Sequence, residues 1–424
     1  MLRFKILFFF FCFIAKIFAQ GNMNSFGLGH FYNNQGILYP GGNVNSLTPS
    51  FKSNVSFSNP STWDNLQFSF LSLSYMGNEN SQNSLSIKNG YSELSSALLI
   101  VPIKNQASFG LELSPYFNQK YSIIDSNQIE PLISYDDTLN IIRKFNSSGG
   151  AMSLKISTSY KINNLFSLAF RYSYLFGSGR QNNSLYFGGS SIISTSRLNY
   201  NGSMIELFFN KIYNKKYNLS FSFKETVNPL GVEYQIKPLF EDVNNNEFYD
   251  NFDFPYIGNI ESDTFQLKNL HKPSGYSFGL SYNNANNYVY SIEYLNDKYN
   301  FTFSNDSIMK MIIPNQNWID YSEKINFSFI RFPDKNKTNI INNLTNRFGL
   351  IYAKHFLNFS KILIEEYGCS IGFGFNFKPV GNQIDISYYI GNRTYSNLDT
   401  PELVQQLQLG ISLADLWFVK RRQK

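Results

Sequence analysis

Apolar and polar residues alternate with a period of two over most of the chain. In CSIGFGFNF, Ile371, Phe373, Phe375 and Phe377 are separated by Ser370, Gly372, Gly374 and Asn376. LFSLAFRYSYLFG sets Phe166, Leu168, Phe170, Tyr172 and Tyr174 against Ser167, Ala169, Arg171 and Ser173. AMSLKISTSY, ASFGLELSPY and SGYSFGLSY repeat the pattern. Such alternation marks strands with one apolar and one polar face. The runs are about nine to thirteen residues long, whereas an ordinary strand has about 5–6. A tilted strand needs about 9–11 residues to cross the hydrocarbon of a bilayer.

The polar half of each run narrows the fold class. A sandwich strand facing water usually carries Lys, Glu and Thr, but these carry mostly Ser, Gly and Asn with an occasional single charge. Small polar side chains suit a lumen in which opposite walls converge. The expected fold is therefore all-β, a transmembrane antiparallel β-barrel. Fifteen candidate strands fall between residues 66 and 418, among them 139–147, 151–162, 164–176, 194–212, 216–226 and 403–418. Single-chain bacterial barrels use even strand numbers, so about 14 strands are expected, one candidate being split or false. Short turns at 161–164 and 378–383 alternate with long excursions. The longest, 227–273, is rich in Asn, Asp and Pro and reads as an external loop.

Composition agrees with a barrel. The chain holds 42 Phe and 29 Tyr, yet its mean hydropathy is −0.25. Beyond the first 19 residues no run reaches the ~18 apolar residues of a transmembrane helix. Strands need apolar residues only at alternate positions, and aromatics form girdles at both interfaces. Residues 1–19 carry Arg3 and Lys5, then the apolar run Ile6 to Ala15, then Ala19 as a small residue before a cleavage; this is the layout of a secretory signal peptide. Removing Arg3, Lys5 and Lys16 lowers the basic count by three, from 36 to 33 against 30 acids. The near-neutral remainder gives no footprint for nucleic acid. Beyond the signal only Cys369 remains, so no internal disulfide is available.

The two ends carry a resemblance. LGISLADLWFVKRRQK finishes on an alternating strand containing Gly410 and Leu413, then the pair Trp417 and Phe418, then a basic tag. The segment NSFGLGHFYNNQGILYPGGNVNSLTPSFKSNVSFSNPSTWDNLQFSF is punctuated by glycines and carries Asn59-Pro60-Ser61 before the first strand. Together with ALLIVPIKNQASFGLELSPYFNQKY, FNSSGGAMSLKI, SYLFGSG and RFGLIYAKH, these resemble a Bacteroidetes-type group of FadL-like outer-membrane barrels, channels for hydrophobic compounds. The resemblance implies a fourteen-stranded barrel over 65–424, with residues 20–64 forming a plug, or hatch, in the lumen. Its hatch residues would be Gly27, Gly29, Gly41, Gly42, Asn59 and Pro60. The other reading of that segment is a loose exported leader lying over the periplasmic mouth.

Other candidate chemistry is sparse. Glu112, Lys155, Arg171, Glu293 and Asp385 fall on the polar phase, either as a charged lumen that selects solutes or as compensating pairs beneath the plug. In EDVNNNEFYDNFD, Asp242, Asn244, Asn246, Asp250 and Asp253 follow the spacing of a calcium loop. Glu247 stands where glycine makes the turn, however, and Asp253 where a bidentate Glu is usual, which favours a solvated loop. His30, His271 and His355 are the histidines, and no nucleophile elbow, zinc spacing or phosphate loop accompanies them. His355, near Tyr352 and Phe356, reads as an interface residue.

The expected function is passive uptake of small hydrophobic or amphipathic compounds across the bacterial outer membrane, with no cofactor. Outer-membrane lipid, the barrel-assembly machinery and a small hydrophobic ligand are the expected partners. The alternatives are a structural or partner-binding barrel, in protein export or surface assembly, and a barrel lipid or peptide hydrolase.

Overall fold

The structure is a computed structural model. It describes residues 22–32, 44–82, 87–103, 106–125, 142–187, 190–214, 216–237, 239–244, 246–247, 249–255, 263–284, 287–301, 318–333, 344–357, 362–377, 382–396 and 398–415. The expected signal segment, Gly41, Gly42, Trp417 and Phe418 lie outside the described residues.

Fourteen antiparallel strands close into a barrel. The first seven are β1 (Ser69–Gln82), β2 (Ile87–Ile103), β3 (Ala107–Asn118), β4 (Ile142–Lys161), β5 (Phe166–Phe187), β6 (Ser190–Tyr213) and β7 (Tyr217–Ile236). The second seven are β8 (Ser274–Asn284), β9 (Tyr288–Lys298), β10 (Ile319–Arg331), β11 (Leu344–Leu357), β12 (Leu363–Asn376), β13 (Gln383–Tyr395) and β14 (Leu398–Asp415). Closure is made by β14 on β1, from Leu403 opposite Ser81 to Asp415 opposite Ser69. That pairing removes the two edges an open sheet would expose.

Alternation in sequence becomes outside and inside. Along β13 exposed and buried residues alternate without a break. Leu71, Leu73 and Tyr75 of β1, Phe373 and Phe375 of β12, and Leu409, Ile411 and Leu413 of β14 are exposed apolar side chains. Between them Ser72, Ser74, Ser370, Gly410, Gln408 and Ser412 are buried. A surface so apolar belongs in hydrocarbon, where every backbone group must be satisfied within the sheet. Inside, serines meet across strands, as Ser74 with Ser96 at 2.9 Å and Ser114 with Ser153 at 3.2 Å.

Two expectations are revised. The described residues of candidates 139–147 and 151–162 fall in a single strand, β4, from Ile142 to Lys161. Gly149, at φ 92°, and Gly150 interrupt the apolar alternation but not the ladder, which runs on opposite Gly177 and Gly179 of β5. Residues 227–273 are also only partly loop. β7 continues to Ile236, and the strand Asp263–His271 returns along it. Asn228 and Pro229 read as a break, yet Pro229 falls in an irregularity of the β6–β7 ladder, between the pairs Ser203–Asn228 and Asn201–Gly231. A bulge needs no donor there. With 22, 24 and 20 residues, β5, β6 and β7 outrun a bilayer crossing and project beyond it at the end away from the 161–166 and 213–217 turns.

The wall changes character at β3. β2 and β3 pair from Ile103–Ala107 up to Ala97–Leu113, where the ladder stops. Beyond it Ser114 to Asn118 are all buried and the alternation is lost, with a register shift between Pro115 and Phe117. The strand bends off the lipid-facing surface, and the edge it presents receives the short strand His30–Phe31.

Candidate functional site

The lumen is built from two groups of side chains. One is an apolar cluster in which Met23, Phe26, Leu28 and Phe31 pack with wall residues including Phe117, Tyr200, Tyr234, Trp318 and Ile364. Phe31 stacks on Tyr299 at 4.4 Å and meets Tyr116 edge-on at 5.5 Å. Gly27 and Gly29 have φ of 51° and 89°, the left-handed region that favours glycine. A Cβ at Gly27 would press on the Trp318 ring, and one at Gly29 would collide with the Asn118 carbonyl.

The second group surrounds residues 44–66. Asn59 caps a 3-10 turn, Pro60–Asn65, accepting the Ser61 N–H on its side chain and donating its own amide to the Leu47 carbonyl at 2.8 Å. Pro60 opens that turn, where a missing N–H costs nothing. The Trp63 indole donates to the Ser56 carbonyl at 2.8 Å, and its ring lies over Gly110, where a Cβ would collide with it. From this segment contacts run to opposite sides of the ring. Ser108 of β3 donates to the Trp63 carbonyl, Ser167 of β5 to Asp64, and Arg171 of β5 to the Ser58 carbonyl at 2.5 Å. Across the barrel, Asn326 of β10 donates to the Val44 carbonyl, and Asn45 donates to Ser291 and Ser328.

All five charges expected on the polar phase are inward and bonded. Lys155 pairs with Glu112 at 2.7 Å, directly opposite it on the neighbouring strand. Arg171 pairs with Glu206 at 3.2 Å, and Asp385 with Arg347 at 2.6 Å. This last pair reaches across β12, where Gly374 leaves the space: a Cβ there would lie 2.8 Å from Asp385 and 3.1 Å from Arg347. Glu293 is fully buried and accepts the N–H groups of Ser46, Leu47 and Thr48 at 2.6 to 2.7 Å. A carboxylate held by three amides and two hydroxyls needs no cation partner.

Sequence reading passed over several members of this network. Arg393 lies in register between Glu366 and Glu402 and pairs with both, at 2.7 and 3.3 Å. Lys224 pairs with Asp297 at 2.5 Å. Their phase was the available signal, since each follows an outward apolar residue by an odd step, as Lys224 follows Phe223. Lys155, Arg171, Glu206, Lys224 and Asp297 line a cavity of about 80 Å³ together with Ser46, Leu47, Ser58, Tyr116 and Phe208.

In this arrangement residues 23–31 and 44–66 pack against and bond to inward-facing side chains of the barrel wall. The sequence profile of one family, BamG, matches residues 1–424. The chain belongs to the BamG family. Its fold is that of FadL-type channels: it is similar to a Pseudomonas aeruginosa FadL homologue, with TM-score 0.56 and 12% identity over 94% of this chain and 99% of that one. It is also similar to a deltaS2 mutant of the TodX monoaromatic hydrocarbon channel, with TM-score 0.57 and 12% identity over 94% and 100%. No curated protein matches. This BamG-family chain is a multi-pass β-barrel of the bacterial outer membrane.

His271 and His355 are held within the packing of the described residues. His271, expected in a loop, ends the returning strand and is fully buried, with Nδ1 donating to the Tyr299 carbonyl at 2.8 Å and Tyr116 donating to Nε2 at 3.3 Å. Burial pushes its pKa down to about 3, against the raising effect of the Tyr299 carbonyl. His355, expected at an interface, is buried on the inward phase beside Ser322, at 2.9 Å.

The loop with calcium-like spacing is tied by its own amides. Asp242 accepts from Asn246 and Glu247, and Asp253 from Val243 and Asp250. Asp250 has a lowered pKa because the Phe252 N–H and the Asn244 amide bond its carboxylate. Glu247 takes the turn at φ 61° and pairs with Lys144 at 2.8 Å. Among the described residues no group of three or more His, Cys, Asp or Glu is arranged to hold a metal ion.

Proposed function

We propose that this barrel passes small hydrophobic or amphipathic compounds between the outside and the outer-membrane lipid, with residues 20–64 as its hatch. The observation that carries this reading is the adjacency of two features. The apolar chamber is occupied by Met23, Phe26, Leu28 and Phe31, and it adjoins the place where the β2–β3 ladder ends. Withdrawal of those four side chains would leave an apolar pocket of the kind that binds a small ligand. The interrupted ladder gives that ligand a lateral way out. Gly27 and Gly29 let the segment turn tightly enough to sit in the chamber, while Asn59 and Pro60 anchor its far end.

The test compares the intact protein with a variant lacking residues 22–32, both at matched folding. Binding of a fluorescent fatty acid should rise in the variant as the chamber empties. Equal binding by both, or none by either, would count against passage of such compounds.

One observation favours a second reading, a partner-binding barrel in protein export or surface assembly. Below the chamber, inward charges pair along the wall around a cavity of only about 80 Å³, and backbone and side chains of residues 44–64 bond to both sides of the ring. The Bam-related name of the family agrees with this reading. A barrel of this kind would keep its partner, and stay closed to sugars in liposome swelling, whether or not the fatty acid binds.

A further inference from the structure

A backbone edge of β3 is completed by a segment from the N-terminal part of the chain that is not a barrel strand. On one side Phe117 and Asn118 of β3 pair with Ala151 and Gly150 of β4. On the other side, the edge that pairs with β2 as far as Leu113, they pair antiparallel with Phe31 and His30. Contact between β2 and this part of β3 is instead made by side chains. The Asn118 amide donates to both carboxylate oxygens of Glu93, at 3.2 and 3.3 Å. An Asn and a Glu side chain placed end to end span about twice the ~4.8 Å separation of paired strands, which is room for a strand between them.

A strand edge recognises a main chain, and pockets at alternate positions choose the side chains. Here one pocket is defined: the Phe31 ring lies between Tyr299, Tyr116 and His271, at 4.4, 5.5 and 5.0 Å. An occupant therefore needs an extended backbone and an aromatic side chain in that register. A small apolar molecule satisfies the pocket but leaves the ladder unmade; a polypeptide satisfies both.

We propose that this edge of β3 is a docking site for an extended peptide strand from another chain, antiparallel to Phe117 and Asn118 and carrying an aromatic residue for the Phe31 pocket. His30 and Phe31 hold the site in cis until they are displaced. The inference gives the partner-binding reading a chemical class of partner, and it requires no passage of solute through the lumen.

The experiment uses the full-length barrel in micelles with His30→Cys and Asn118→Cys, whose backbones are paired, so that oxidation locks the cis strand and reduction frees it. The probe is a synthetic peptide with the sequence of residues 26–33, biotinylated, with a benzoylphenylalanine in place of Phe31. Photolabelling should be at least tenfold greater in the reduced than in the oxidised protein and should map to residues 116–118 or to Tyr299. Labelling should also appear in a Phe31→Asp variant, which expels the cis strand without a tether. Labelling indifferent to the tether, labelling mapped elsewhere, or none in a reduced protein that retains heat-modifiable migration would overturn the proposal. Fatty-acid binding is measured on the same samples. Binding without labelling removes the peptide site and leaves the channel reading standing; labelling without binding does the reverse.

Discussion

The carboxylate of Glu293 on β9 accepts the backbone N–H of Thr48 at 2.6 Å and its hydroxyl at 3.0 Å. With the amides of Ser46 and Leu47 on the same carboxylate, this fastens residues 46–48 to the wall. Glu293→Ala would leave three amides without their acceptor, a loss on the order of 3–5 kcal/mol. Glu293→Gln keeps one acceptor oxygen and turns the other into a donor facing an N–H, so it should weaken the same hold less. Limited proteolysis within 44–58 should be fastest for Glu293→Ala, intermediate for Glu293→Gln and slowest for the unaltered protein. Equal rates would mean that the segment is held elsewhere.

Gly110 and Trp63 test the same segment from its other end. Gly110→Ala places a Cβ where the indole ring lies, in a close-packed cluster with Val55, Phe57, Leu66 and Ile100. Overpacking of this kind costs about 1–3 kcal/mol. Thermal unfolding followed by Trp fluorescence should shift downward, and pairing with Trp63→Phe should recover part of the loss. A double variant no better than the product of the singles would show that the two positions are uncoupled.

The two faces of β12 should respond oppositely to substitution. Phe373 is 43% exposed on the apolar exterior, and Phe373→Arg should cost about 2–4 kcal/mol near the bilayer midplane. Gly372 is buried on the inward face, where a Cβ would lie 3.3 Å from that of Ser387. Gly372→Ser therefore asks for a small adjustment only. The check is the denaturant midpoint of each variant refolded into lipid vesicles, and similar midpoints would reverse the assigned phase.

Acid should loosen the packing around Phe31. His271 is buried 5.0 Å from the Phe31 ring, and its pKa falls from 6.5 to about 3 on folding. A group whose folded pKa is depressed contributes stability above its unfolded value and loses it as the pH falls toward the folded one. From neutral pH to pH 5 the loss is about 2 kcal/mol at roughly 1.4 kcal/mol per unit below 6.5. The nearby Lys224 acts in the same direction by disfavouring a second cation. The protection factors of the Phe31 and Tyr299 amides, taken against the intrinsic exchange rate at each pH, should fall between pH 6.5 and 5, and His271→Gln should remove that fall.

How far each feature was legible depended on whether it followed from spacing along one strand or from contact between distant ones. Phe373 could be assigned to lipid and Lys155, Arg171 and Asp385 to the interior because side chains alternate in a strand, whatever its neighbours are. The strand number was within reach for the same reason, apart from the glycines at 149 and 150, which hide a continuous ladder behind a break in the apolar pattern. The continuation of β7 past Pro229 was hidden too, because a proline marks a break along the chain while a bulge is made with the neighbouring strand.

The sequence by itself determined that this chain is a barrel with an apolar exterior and a small-residue polar interior, since a period of two needs only the geometry of a single strand. Tertiary structure alone decided that Glu293 meets residues 46–48, that Arg347 reaches Asp385 over Gly374, and that His30 and Phe31 take the edge of β3 that β2 leaves. Each of these joins positions far apart in sequence, and closure of the ring sets which inward side chains face one another.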